Sequence, residues 1–93
     1  MTAAVQHHPD QRQFQMDVDG HRCHIDYTLH DKVMTTTHTI VPDAVGGRGL
    51  AGQLTEAALQ HARAAGWKVD PQCSYTARYM DRHPEYADLR VHA

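Results

Sequence analysis

The sequence predicts an α+β (α/β) fold in which an antiparallel meander leads into a strand–helix–strand–helix run. Three observations predict it. Apolar residues alternate with polar ones through most of residues 12–41, broken by two turn signals. The apolar spacing then changes to three and four over residues 48–65, the period of a helix. A short β-prone stretch follows that helix directly, and a strand–helix–strand crossover of this length pairs its two strands in parallel.

Residues 1–11 are polar and include His7, His8 and Pro9, which predicts a flexible N-terminal leader ahead of a single domain at 12–93. Phe14, Met16 and Val18 alternate in the first strand. Asp19-Gly20 follows, a two-residue hairpin signal because glycine accepts the positive φ the turn demands. Cys23, Ile25, Tyr27 and Leu29 share one face of the second strand. His30-Asp31-Lys32 forms the next turn. Residues 33–41 are rich in β-branched side chains and form the third strand, which Pro42 ends because it cannot donate to a ladder. Leu50, Leu54, Ala57, Ala58, Ala62 and Ala65 make the helix stripe, with Gly66 placed as its C-terminal cap. Trp67, Lys68 and Val69 form a short strand. Ser74 is placed to cap a last helix that Pro84 limits. The tail from Glu85 is predicted to add a short extended piece.

Ninety-three residues suffice for one modest core. A formal net charge of −2 argues against a basic stripe for nucleic acid, and no basic amphipathic helix suggests membrane docking. No secretory pattern opens the chain and no apolar run is long enough to span a bilayer, which predicts a cytoplasmic protein. Cys23 and Cys73 form neither a disulfide framework nor a CxxC metal pair. His21, Cys23 and His24 suggest a metal site, but on a strand His24 points away from the other two, and two ligands rarely hold zinc, so no metal is expected.

The glycine-rich segment carries most information: Val45, Gly46, Gly47, Arg48, Gly49, Leu50, Ala51 and Gly52. Each glycine inside a helix costs about 1 kcal/mol against alanine, so a compensating gain is expected. A phosphate ligand supplies one, since glycine lets the backbone approach closely and the first turn of a helix presents free N–H groups. A tight loop with close helix packing supplies another. Residues 47–52 match GxGxxG, and Asp70 lies at a distance suited to a ribose contact. A dinucleotide fold, however, needs its first glycine at a strand's end, and Pro42 stops the strand earlier. A P-loop fails for want of a Lys-Ser/Thr pair after the glycines.

The element order, with Gly46, Gly47, Arg48, Gly49, Leu50 and Ala51 at a helix start, resembles the GNAT superfamily of N-acetyltransferases, whose pyrophosphate motif reads Gln/Arg-x-x-Gly-x-Gly/Ala. Gly46 departs from the usual basic or amide residue at the first position, and Arg48 is placed to supply the missing charge. His38-Thr39-Ile40-Val41-Pro42, then Cys73-Ser74-Tyr75, then His83-Pro84-Glu85-Tyr86 resemble the small single-domain GNAT-like proteins of the YjdJ type over residues 14–89. In that group the middle position of the first motif is often glutamate, where this chain has Ile40. The resemblance implies a minimal acyl-CoA-binding fold with acetyl-CoA (CoA) as cofactor. Its pyrophosphate would lie on Gly46, Gly47, Arg48, Gly49, Leu50, Ala51 and Gly52, and its pantetheine arm would pair with the backbone of Ile40 and Val41.

Three side chains are candidates for catalysis. Cys73 lies between a strand end and a helix N-terminus, where the dipole favours thiolate; it is a nucleophile, a pocket lining or a small buried hydrophobe. His38, on the strand feeding the loop, suits general base work near neutral pH or a structural role, and proton relay to Cys73 requires the two to be close. The resemblance implies that Tyr79, on the last helix, is a proton donor to the leaving thiolate, the alternative being packing. His61 is read as a polar helix position. The leading function is acetyl transfer from acetyl-CoA to a small-molecule or protein amine. The alternatives are a non-catalytic acyl-CoA-binding or regulatory module, favoured by the direct Asp19-Gly20 link that leaves the acceptor side open, and a structural interaction domain.

Overall fold

The computed structural model describes residues 4–91. It contains strands β1 (Gln6–His8), β2 (Gln13–Val18), β3 (His21–His30), β4 (Val33–Ile40) and β5 (Lys68–Pro71), with helices α1 (Leu50–Ala65) and α2 (Ser74–Arg82). The strands form one sheet in the order β1-β2-β3-β4-β5. The first four are antiparallel, and β5 joins β4 in parallel, as the crossover length predicts. A 3-10 turn at Asp43–Val45 leads from β4 to the glycines, and a second at Pro84–Leu89 follows α2.

One face of the sheet carries the core. Phe14, Met16, Cys23, Ile25, Tyr27 and Met34 pack there against Leu50, Leu54, Ala58, Leu59 and Ala62 of α1. The buried stripe of α1 includes Thr55 and Leu59, while Ala65 is exposed, so the helix is rotated slightly from the alanine-based expectation. Both meander turns are tight: Asp19 and Gly20 have φ of 50° and 77°, and Asp31 and Lys32 have 50° and 63°. These values match the twist-compatible hairpin turn. The second pair adopts it without a glycine.

Five expectations need correction. Residues 4–11 are not a frayed leader, because β1 pairs with β2 in register His7↔Phe14. The cause is His7, whose ring stacks on Phe14 at a centroid distance of 4.3 Å and hydrogen-bonds the Tyr27 hydroxyl. Residues 1–3, also assigned to that leader, lie outside the described residues, as do 92–93. His61, read only as a polar helix position, is half-buried in an aromatic cluster, its ring 4.3 Å from His7 and 5.0 Å from Trp67. Helix α1 starts at Leu50 rather than Arg48, since Gly49 at φ 74° is its left-handed N-cap. Helix α2 takes Cys73, not Ser74, as its N-cap. The tail is a 3-10 turn whose Arg90 then makes a single parallel bridge to Val69.

Candidate active site

The site begins where β4 and β5 part. Their pairing covers Val33↔Lys68 to Thr36↔Pro71 and stops. The Cys73 N–H donates to the Thr36 carbonyl at 2.8 Å, and the chain then turns into α2. Residues 37–40 of β4 therefore keep β3 on one side and have no strand on the other. A bulge lies at the same place. The β3–β4 register shifts between Asp26↔His38 and Tyr27↔Thr36, which leaves Thr37 as the extra residue. A bulge re-aims the side chains beyond it. Paired residues share a face, so Thr39, opposite Ile25, turns to the core side, while His38, opposite Asp26, turns to the other side.

Thr39 meets Cys73 at this fork, with Oγ1 and Sγ 3.3 Å apart. Cys73 is buried, and burial pushes its thiol up. The Thr39 hydroxyl, the Thr76 and Tyr75 N–H groups and the Thr76 hydroxyl outweigh burial, so the thiol lies below its ordinary value. Neither N–H completes a cap hydrogen bond; their positive ends act through proximity at the helix start. One further hydroxyl at the fork, Thr36 Oγ1, is buried without a protein partner. Orphaned buried polar atoms are rare and call for an explanation.

The glycine segment leaves a run of backbone donors free at the start of α1. Gly47 and Gly49 have φ of 78° and 74°, a region L-residues avoid. The first backbone bond entering α1 is from the Gln53 N–H to the Gly49 carbonyl, and the N–H groups of residues 47–52 donate to no carbonyl. Such a run of free donors at a helix start suits a phosphate. Gly52, in contrast, is helical. A Cβ there would sit 3.4 Å from Tyr75 Oη and 3.8 Å from Tyr79 Cε2, ordinary contacts with the facing side of α2. Arg48 does not stand free beside these donors: its Nη1 holds Asp19 Oδ2 at 2.6 Å, tying the segment to the first hairpin.

The predicted catalytic residues are not gathered together. Cys73 is at the fork. His38 is exposed on the opposite face, with its Nδ1 3.2 Å from Thr37 Oγ1, so no relay joins it to Cys73. Tyr79 packs by Gly52 and stacks on His83 at 4.0 Å. Burial first, then Glu56 and other nearby groups, pushes its phenol up to about 12. Ile40 ends β4 with 45% of its surface exposed, and Val41 is half-buried against the core. Cys23 belongs to the core while His21 is exposed, and among the described residues no three metal-ligating side chains converge. Sequence reasoning missed Thr39 and Thr76. Only the bulge, which shifts Thr39 to the core face, and the helix start at Ser74 bring them to the sulfur.

A family description of GCN5-related N-acetyl-transferases matches residues 13–89, which take in all of these parts except β1. The chain belongs to the GCN5-related N-acetyltransferase family. N-acetyl transfer is thus its activity, with the acceptor left open by membership alone. Members generally use acetyl-CoA. The chain is 33% identical over 85 residues to Protein NATD1 of mouse, covering 86% of this chain and 76% of that one. For human Protein NATD1 the identity is again 33%, over 74% of the relative. In the solution NMR structure of a GCN5-like protein from Staphylococcus aureus the fold recurs with a TM-score of 0.74 at 24% identity, over 97% of this chain and 89% of that one. No helix among the described residues is long and apolar enough to cross a membrane.

Proposed function

We propose that the chain transfers the acetyl group of acetyl-CoA to an amine through Cys73 at the β4–α2 fork. The observation that carries this is the set of donors around the Cys73 sulfur, which favours thiolate despite burial. Acetyl-CoA supplies the acyl group as an activated thioester. The free N–H groups of residues 47–52 bind its pyrophosphate, and the unpaired edge of β4 at Ile40 and Val41 pairs with its amide-bearing arm. The orphaned hydroxyl of Thr36 supports the fit, because a polar ligand at the fork gives it a partner. Thr39 holds the sulfur and stabilises its charge. CoA leaves as its thiolate when Cys73 takes the acetyl group, and the amine then displaces the Cys73 thiolate and gives its proton to solvent; His38, on the opposite face, takes no part in this step. The protein works in the cytosol, a reading supported by its two free thiols.

The test is intact-protein mass spectrometry after mixing with acetyl-CoA and no amine. A gain of one acetyl group, absent in Cys73→Ser and discharged by an added amine, is the expected result. Turnover that survives in Cys73→Ser would leave Cys73 as a pocket lining and make transfer direct. An unmodified protein that binds acetyl-CoA but transfers to no amine would favour the non-catalytic binding module.

A further inference from the structure

Cys73 has polar company at the fork that a small buried hydrophobe does not need. Thr39 Oγ1 lies 3.3 Å from its Sγ. Tyr27 and Ile25 share the core face of β3 and stand opposite Thr36 and Thr39, so the bulge at Thr37 makes these two threonines successive residues on that face. The Thr36 carbonyl accepts from the Cys73 N–H at 2.8 Å, which sets the two residues side by side. Thr36 is 1% exposed, and its hydroxyl has no protein partner. A buried hydroxyl left in that state beside the sulfur points to a polar ligand there.

No second thiol of the protein reaches this one. Cys23, the only other cysteine of the chain, lies on β3, whereas Cys73 follows the end of β5, and β4 stands between them. Two strand spacings set their backbones roughly 10 Å apart, beyond the about 7 Å that a disulfide spans. Burial, then Asp17, also pushes the Cys23 thiol up. A thiol that meets Cys73 must arrive with a ligand. Acetyl-CoA brings one: the acetyl carbon passes from the cofactor's sulfur to Sγ, so a cofactor that has lost its acetyl group leaves its thiol against Cys73.

We infer that Cys73 and the thiol of bound CoA form a redox pair, which peroxide closes into a mixed disulfide that stops acetyl transfer and a dithiol reopens. This rests on the acetyl-CoA reading above and gives the same site a regulated state. The Cys73 thiolate attacks one oxygen of hydrogen peroxide. An S–O bond forms, the O–O bond breaks and hydroxide leaves, so the sulfur is oxidised to sulfenic acid and the peroxide is reduced. The CoA thiol then attacks that sulfur. The S–S bond forms, the S–O bond breaks, and the departing hydroxyl takes the thiol's proton and leaves as water. The Thr36 hydroxyl donates to the sulfenic oxygen, the partner it lacks in the reduced protein. With 8% of its surface exposed, Cys73 admits a small oxidant, and the neighbouring thiol intercepts the sulfenic acid before further peroxide takes it to sulfinic acid. A dithiol restores both thiols by exchange.

The experiment treats the full chain with hydrogen peroxide in the presence of CoA, glutathione or acetyl-CoA and reads the intact mass without reductant. CoA should add one CoA less two hydrogens, placed on Cys73 by peptide mass spectrometry, absent in Cys73→Ser and removed by dithiothreitol. Because bound CoA is already positioned, its adduct should form roughly tenfold or more faster than that of glutathione at equal concentration. Acetyl-CoA, which has no free thiol, should give acetylated protein and no disulfide. Acetyl transfer lost on treatment with peroxide and CoA should return with dithiothreitol. A glutathione adduct as fast as that of CoA, an adduct on Cys23, or sulfinic acid at Cys73 despite saturating CoA overturns the redox pair. A protein that acetyl-CoA acetylates at Cys73 but that forms no CoA adduct overturns the pair alone. A protein that neither binds CoA in a calorimeter nor takes an acetyl group from acetyl-CoA overturns the acetyl-CoA reading itself, and the redox pair with it.

Discussion

Alanine at Gly49 and at Gly52 should change stability in opposite directions, although both replacements remove a glycine from the same cradle. At Gly49 an added Cβ meets nothing within 4 Å, so no clash contributes. The cost is backbone alone: φ is 74°, and an L-residue in the left-handed region loses about 1–2 kcal/mol. Alanine recovers about 0.4–1 kcal/mol by stiffening the unfolded chain. The net loss is about 1 kcal/mol, or about 5 °C in Tm for a domain of this size. At Gly52 the backbone is helical, so alanine gains about 1 kcal/mol of propensity. Its Cβ would touch Tyr75 Oη at 3.4 Å, and Tyr75, 38% exposed, has room to turn aside. Gly52→Ala should therefore unfold at the wild-type temperature or slightly above. Thermal unfolding by circular dichroism reads both. A Gly49→Ala protein as stable as wild type, or a Gly52→Ala protein several degrees less stable, would refute the division of labour between the two glycines. Acetyl-CoA titration adds a second reading, since Gly49→Ala also displaces the cradle's N–H groups and should weaken binding.

Asp19→Asn keeps a residue suited to the positive φ of the hairpin turn but releases Arg48 from its 2.6 Å ion pair, so acetyl-CoA should bind a few-fold tighter in low salt. Cys73→Ser places a better cap at the start of α2 and should raise stability by roughly 0.5 kcal/mol while turnover falls at least a hundredfold; Tm and initial rates read the two effects. Thr39→Val removes one of the donors that lower the Cys73 thiol, so the pH midpoint of Cys73 alkylation, followed by peptide mass spectrometry, should move upward. His7 is held below its ordinary value by burial, then by His61 and His8. Its folded pKa is thus lower than the unfolded 6.5, the unfolded chain binds more protons between the two, and stability must rise with pH through that window. Denaturation midpoints should fall as pH drops below about 6.5, and His7→Phe should flatten that fall.

The elements were legible because their signals are local. Alternation around Asp19-Gly20, the helix stripe from Leu50 and the stop at Gly66 each depend on a few neighbouring residues. The loop conformation of the glycine-rich segment was legible for the same reason, since glycines at Gly47 and Gly49 accept the positive φ found there. What escaped depends on contacts distant in sequence. Residues 6–8 read as a polar leader because nothing nearby shows that His7 reaches Phe14, Tyr27 and His61. The bulge at Thr37 is equally silent, yet it decides that Thr39 faces Cys73 and that His38 does not. Arg48 was assigned to the cradle from its position in the chain, but its partner is 29 residues away.

The most direct measurement follows the backbone amides of Gly47, Arg48, Gly49, Leu50, Ala51 and Gly52 by two-dimensional NMR during titration with acetyl-CoA. These N–H groups have no carbonyl partners in the protein, so a pyrophosphate seated on them should shift all six resonances together with those of Ile40 and Cys73. Binding that leaves the six amides unmoved, or no binding at concentrations that saturate ordinary acyl-CoA sites, would contradict the cradle and the acetyl-CoA mechanism built on it.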